Sequence, residues 1–188
     1  MQTFTMETNR LSQRLQEALN DQMTKEASAS QIYLSYAAWA SSKGYGGIAN
    51  FLFRHANEER NHMMKILEYI LERGAKVKVQ AIASPTEDPT NIQNCFERIF
   101  EHEVDNTKVI YKLVKLSFDE EDWATWHFMQ WFVKEQTEEE TLALNLLDKI
   151  KIAGGANASG DALYALDKDL QLKSDDAVLA EDKTVLNP

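Results

Sequence analysis

Apolar residues recur at helical spacing, three or four positions apart, over four long stretches of the chain. This periodicity predicts helices from about Thr8 to Ser41, from about Gly47 to Arg73, from about Asn91 to Ser117, and from an N-cap at Asp119 or Asp122 to about Ala153. The glycine-rich "AGGANASG" interrupts the pattern, and "DALYALDKDL" after it predicts a short fifth helix. The fold class is therefore all-α.

Loop lengths predict how these helices are connected. The first and second helices are joined by a tight turn, as are the third and fourth, so each pair is expected to be antiparallel. The linker from Gly74 to Thr90 is longer. At ~3.3 Å per residue it reaches ~55 Å, whereas a helix as long as the second measures ~40 Å. We therefore expect one long crossover that lets the third helix run parallel to the second.

The domain organisation follows from the same pattern. We expect residues 1–172 to form one helical domain, and residues 173–188, which are polar and lack a clear period, to form a flexible tail.

Charged and polar side chains interrupt the apolar stripes that should face the core. On the second helix, Glu59 and His62 share a line with Leu52 and Ile66, and lie three residues apart, close enough to reach one ion. The other three helices repeat the anomaly, each near its middle. The residues concerned are Glu26 on the first helix, Glu103 on the third, and Glu135 and Glu139 on the fourth.

Buried carboxylates at one level of a bundle need a positive partner. An unpaired buried carboxylate costs several kcal/mol, and these stripes carry no lysine or arginine near that level. Divalent metal is the remaining candidate, and one imidazole among several carboxylates suits iron or manganese. Glu59 can bridge two ions, with Glu26 and His62 on one side and Glu103 on the other, which predicts a di-iron carboxylate site.

Composition narrows the class of partner. The chain has 188 residues and a formal net charge of -10, which disfavours nucleic acid and anionic membranes as partners and favours cations. A single cysteine, Cys95, excludes a disulfide framework and a cysteine-ligated metal site. We found neither a signal peptide nor an apolar run of membrane-spanning length, so we expect a cytoplasmic protein.

Four motifs, one per helix, resemble those of the non-haem bacterial ferritins: "KEASASQIY", "EERNHM", "HEVDNT" and "QWFVKEQTEEE". The resemblance implies a ferritin-like four-helix bundle with a short fifth helix. It also implies a first iron site formed by Glu26, Glu59 and His62. A second would be formed by Glu59, Glu103 and Glu139, with Gln136 close by.

The resemblance further implies a third, weaker iron site beside this centre. Glu58, Glu135 and Glu138 match it, sharing Glu139. Tyr33 resembles the tyrosine next to the family's centre, where its role is either structural or redox.

Two departures argue against haem-binding relatives. Those carry a second Glu-x-x-His on the fourth helix, where this chain has Gln136-x-x-Glu139. They also carry a haem-ligating methionine after the bridging glutamate, where this chain has Arg60. We expect no haem.

The implied activity is ferroxidase chemistry, the oxidation of Fe2+ by O2 or H2O2. The resemblance also implies storage of ferric mineral inside a hollow homo-oligomeric shell of twenty-four subunits. Two alternatives stay open at this stage: a di-iron peroxidase-type enzyme without mineral storage, and a structural bundle whose glutamates are protonated or bridged by water.

Overall fold

The computed structural model describes residues 7–85 and 87–172, and every regular element in these ranges is helical. The predicted tail, residues 173–188, lies outside the described residues. The long helices are α1 (Gln13–Ser42), α2 (Gly46–Glu72), α3 (Ile92–Asp119) and α4 (Trp123–Ile152). A 3-10 turn (Gly155–Asn157) and α5 (Gly160–Leu172) follow.

Side-chain caps fix where three of the helices begin. Ser12, Asn91 and Asp122 accept hydrogen bonds from backbone N–H groups three residues ahead, at 3.1, 2.8 and 3.0 Å. Of the two N-cap candidates for α4, Asp122 is the one used. The predicted start of α1 at about Thr8 is wrong, because the Ser12 cap places the first helical residue at Gln13.

Two apolar clusters show that the predicted topology is correct. The first half of α1 and the second half of α2 meet the second half of α3 and the first half of α4 in one cluster. The opposite halves meet in the other cluster, which also includes Leu166 and Leu170 of α5. Helices α1 and α2 are therefore antiparallel, as are α3 and α4, while α2 and α3 run parallel.

The linker between α2 and α3 crosses the length of the bundle, as predicted. Near its start, Asn20 of α1 donates to the Lys76 carbonyl at 3.2 Å and accepts from the Lys78 N–H at 2.6 Å. Near its end, Arg98 of α3 donates to the Glu87 carbonyl at 2.7 Å. Within the described ranges, no helix is long and apolar enough to cross a membrane.

The fifth helix is held against the start of α2. Asp167 accepts a hydrogen bond from the Ile48 N–H at 2.8 Å, and Gly47 passes so close that a Cβ there would lie 1.8 Å from the Asp167 carbonyl oxygen. Glycine is therefore required at residue 47 for α5 to pack at this distance.

Candidate metal centre

A layer of polar side chains separates the two apolar clusters at the middle of the bundle. Four of the five glutamates predicted to point inward, one from each long helix, are all buried: Glu26 is 1% exposed, Glu59 2%, Glu103 0% and Glu139 7%. Each belongs to a different long helix, so packing of the apolar stripes alone brings four carboxylates to one level.

Glu26, Glu59 and His62 form a compact group. His62 Nδ1 lies 3.6 Å from Glu59 Oε2 and 4.0 Å from Glu26 Oε2, and one ligand atom from each residue lies within 4.8 Å of the others. Ligand atoms bound at about 2.0–2.2 Å to one ion lie at most about 4.4 Å apart, so the separations of 3.6 and 4.0 Å are compatible with a shared ion. Glu26 Oε2 and Glu59 Oε2 are also buried without a hydrogen-bond partner, so they are available to a metal ion.

Two further groups adjoin the first. Glu58, His62 and Glu135 form one, in which His62 Nε2 lies 3.9 Å from Glu135 Oε1. His55, Glu58 and Glu139 form the other, with His55 Nδ1 3.4 Å from Glu58 Oε2 and 3.8 Å from Glu139 Oε2. Glu58 therefore belongs to both, on the flank of α2 that faces α4.

Glu138 is the one predicted third-site residue that joins none of these groups. Its side chain is 48% exposed, and its carboxylate lies 3.3 Å from Lys134 Nζ. The structure thus brings together Glu58, Glu135 and Glu139 but leaves Glu138 on the outer side of α4.

Glu103 is surrounded by hydrogen-bond donors. The Tyr33 hydroxyl donates to Glu103 Oε1, and Gln136 Nε2 lies 3.2 Å from both the carboxylate and the backbone carbonyl of Glu103. His102 Nδ1 lies 3.7 Å from the same carboxylate. In the described part of the chain, Glu103 belongs to none of the three compact groups, and its partners are Tyr33 and Gln136, the two residues predicted to lie beside the centre.

An amide network that was not predicted from the sequence lies beside Glu26. Gln22 Nε2 donates to Glu26 Oε1 at 2.5 Å and to Asn106 Oδ1 at 2.8 Å, while Asn106 Nδ2 lies 3.4 Å from Gln136 Oε1. These amides occupy one Glu26 oxygen and leave the other toward His62. The available signal was Gln22, four residues before Glu26 on the same apolar line.

His55, which was not predicted to belong to the site, is also buried, at 6% exposure. Its ring packs 4.2 Å from that of Phe51 and 6.0 Å from that of Tyr33, centroid to centroid. Its position four residues before Glu59 on the same line was the signal that could have identified it.

Burial and mutual repulsion give three of these groups unusual proton affinities. The pKa of Glu59 is raised well above its ordinary value by burial and by the charges of Glu103 and Glu26. The pKa of Glu139 is raised by burial and then by Glu103, Glu58 and Glu135. The pKa of the Tyr33 hydroxyl is raised by burial and by Glu103. These carboxylates therefore hold protons more tightly than exposed ones unless a cation is present.

The pKa of Glu103 is shifted in the opposite direction. Burial raises its pKa, but the His102 imidazole and the hydrogen bonds from Tyr33 and Gln136 lower it more, so the net pKa falls below the ordinary value. Glu103 therefore loses its proton more readily than Glu59 or Glu139, and its charge helps to raise the pKa values of both.

The donor set is rich in hard oxygen ligands with few imidazoles, which suits iron or manganese. Trp131 and Phe132 place their rings edge-on to His62, at 5.3 and 6.2 Å, and His62 is only 4% exposed. The chemistry that these ligands support best is the binding of closely spaced divalent ions.

Comparison with known proteins agrees with this geometry. The ferritin-like domain family matches residues 16–153. A probable bacterial non-heme ferritin-like protein of Haemophilus influenzae is 39% identical over 160 residues, covering 85% of this chain and 95% of its own. A bacterial non-heme ferritin of Campylobacter jejuni is 37% identical, covering 84% and 93%.

A solved structure shows the same likeness in three dimensions. The open pore ferritin of the archaeon Archaeoglobus fulgidus matches with a TM-score of 0.84 and 38% identity, over 88% of this chain and 99% of that one. A bundle of this topology, with buried glutamates from all four helices and a family match over most of its length, places the chain in the ferritin family, among the relatives of the bacterial non-haem ferritins.

Proposed function

We propose that the protein stores iron by oxidising Fe2+ with O2 at a di-iron centre in each chain. The observation that carries this proposal is the group of Glu26, Glu59 and His62, with two buried carboxylate oxygens that lack hydrogen bonds and point at one position. Iron is substrate and cargo here, and no haem takes part.

Glu59 holds the two ferrous ions together. Glu26 and His62 complete the first position, and Glu103 and Glu139, with Gln136 close by, complete the second. The charges of Glu103, Glu26 and Glu139 all raise the pKa of Glu59, which supports their close approach to it. Hard anionic ligands stabilise Fe3+ more than Fe2+, so binding at these positions favours oxidation.

In the proposed reaction, O2 accepts the electrons that the ferrous ions lose. Each of two ferrous ions loses one electron, and O2 takes up both with two protons to give hydrogen peroxide. The protons come from solvent and from carboxylates that ferrous binding has deprotonated. Tyr33 keeps Glu103 oriented by donating to it.

A third position accepts iron between the centre and the bundle surface. Glu58, Glu135 and Glu139 supply the carboxylates there, since the side chain of Glu58 is 21% exposed and reaches both compact groups on that flank. Glu138 joins this position only if its side chain leaves Lys134.

Storage requires an enclosed space, so we propose a homo-oligomeric shell of twenty-four chains in the cytoplasm. The net charge of -10 supports this role, because it concentrates cations at the shell. Neither nucleic acid nor membrane is a partner in this proposal.

Aerobic iron loading tests the proposed function. Fe2+ is added in small steps to the metal-free protein, the sample is chromatographed, and iron and protein are measured in the same peak while light scattering gives the mass. Storage predicts far more retained iron than the two or three ions of the centre, in a particle much heavier than the 21.5 kDa chain.

Other outcomes would identify the alternatives. Turnover of hydrogen peroxide with only site metals retained would indicate a peroxidase. Neither oxidation nor retention would indicate a structural bundle, and either result would overturn storage.

A further inference from the structure

A small cavity lies against the candidate metal centre, on the side of the apolar cluster that includes α5. Its walls are mostly hydrocarbon, from Phe51, Ile99, Leu142, Ala143 and Leu146. All of these except Leu142 are buried. The space open to the centre of a water-sized sphere is about 10 Å³, which is the lower limit for holding one small molecule.

The other end of the cavity touches the centre itself. Tyr33, His55 and Glu139 line it there. The Tyr33 hydroxyl donates to Glu103, and His55 Nδ1 lies 3.4 Å from Glu58 and 3.8 Å from Glu139, its neighbour in the cavity wall. The cavity therefore joins a proposed iron ligand, Glu139, to an otherwise apolar space.

Such a space discriminates between small molecules. A buried water needs two to four polar partners, whereas apolar cavities stay dry and take up apolar guests such as xenon. Hydrogen peroxide, which donates and accepts hydrogen bonds, meets the same penalty as water. The hydrocarbon part of the lining therefore favours a small, uncharged, apolar molecule over water and hydrogen peroxide.

We propose that this cavity, named here the Phe51–Ala143 cavity, is the binding position for O2 before it meets ferrous iron. The role in binding O2 rests on the proposed function, whereas the krypton test of the cavity does not depend on it. It assigns Ala143 a role in admitting the oxidant, because its small side chain leaves the space that a larger residue would fill.

Noble-gas binding tests the site without iron. Crystals of the metal-free protein are pressurised with krypton, and anomalous density is sought between Phe51 and Ala143. We expect a krypton site there, and its loss in Ala143→Leu. The matched control is Ala49→Leu, since Ala49 is also 3% exposed but does not line the cavity. Absence of krypton from the unsubstituted protein would overturn the proposal.

Oxidation kinetics provide a second test of the proposal. We expect Ala143→Leu to raise the KM for O2 several-fold, with anaerobic ferrous binding and the rate of oxidation by hydrogen peroxide unchanged. If Ala143→Leu does not fold, Ala143→Val makes the same test with a smaller insertion. An unchanged KM for O2 in a variant that has lost the krypton site would overturn the role, whereas failed iron storage with krypton bound would count against the proposed function alone.

Discussion

Glu59 and His62 lie one turn apart on α2, with His62 Nδ1 3.6 Å from Glu59 Oε2 and that oxygen buried without a hydrogen bond. A carboxylate held this way destabilises the metal-free protein, because burial and neighbouring charges oppose its ionisation. The same arrangement favours metal binding, so stability and function oppose each other at this residue.

Glu59→Gln is therefore expected to stabilise the metal-free protein at neutral pH by about 1–3 kcal/mol, since it removes a carboxyl group whose ionisation is opposed by burial and by neighbouring carboxylates. The same substitution should abolish the binding of paired metal ions. Urea unfolding with a chelator present measures the first effect, and anaerobic cobalt titration measures the second. Glu72→Gln, on an exposed position of the same helix, should change neither; a less stable Glu59→Gln protein would contradict this account.

The stability of the metal-free protein should fall as pH rises. The folded-state pKa of Glu59 lies above its ordinary value near 4.5, so the folded state binds more protons than the unfolded state between those two values. The stabilisation is complete below pH 4.5 and is lost as pH rises through the raised pKa. Glu139 contributes with the same sign, and Glu103, whose pKa is lowered, with the opposite sign at lower pH.

Thermal unfolding across this pH range, with a chelator present, measures how steeply stability falls with pH. Glu59→Gln should make that dependence weaker. Saturating divalent metal should reverse it, because metal affinity rises as ligands lose protons. A metal-free protein that became more stable with rising pH would contradict this account, because it would show that other groups of the protein already stabilise the ionised carboxylates.

Removing the Tyr33 hydroxyl should weaken metal binding at the position that uses Glu103. Tyr33→Phe deletes a donor that holds this carboxylate anionic and oriented, and we expect a loss of about 0.5–1.5 kcal/mol in binding free energy. Anaerobic calorimetry with cobalt at fixed pH checks it. Tyr36→Phe, at a buried tyrosine of the same helix, is the control, and equal losses in both would make the effect one of packing.

Adding one methyl group at Gly47 should displace α5. A Cβ there would lie 1.8 Å from the Asp167 carbonyl oxygen, whereas a Cβ at Gly46 would meet nothing within 4 Å. We expect Gly47→Ala to cost about 1–3 kcal/mol and to speed hydrogen exchange in Gly160–Leu172. Gly46→Ala should leave exchange in that helix unchanged, and slow exchange in both variants would contradict the close packing of α5.

The helices and the buried carboxylates could be predicted from local pattern, and the rest depended on long-range contacts. Periodicity alone placed Glu26 and Glu59 on core faces, because helical geometry fixes which residues share a line. It could not place Gln136 against Glu103, or His55 against Glu139, since these pairs depend on how the helices are rotated about their axes. The start of α1 was missed because the Ser12 cap competes locally with an apolar pattern that extends further toward the N-terminus.

The side-chain orientations of the predicted third-site residues could not be predicted from the sequence either. Spacing grouped Glu58, Glu135 and Glu138, yet Glu138 pairs with Lys134 on its own helix. A lysine four residues away on an exposed face favours this local ion pair over an extended side chain that reaches the centre.

The most direct test of the central claim, that these carboxylates are gathered to hold ferrous ions, is anomalous diffraction at the iron edge. Crystals soaked anaerobically in ferrous salt should show one iron peak among Glu26, Glu59 and His62 and a second toward Glu103 and Glu139. A map with no iron among these side chains, at a ferrous concentration that saturates binding in solution, would contradict the account.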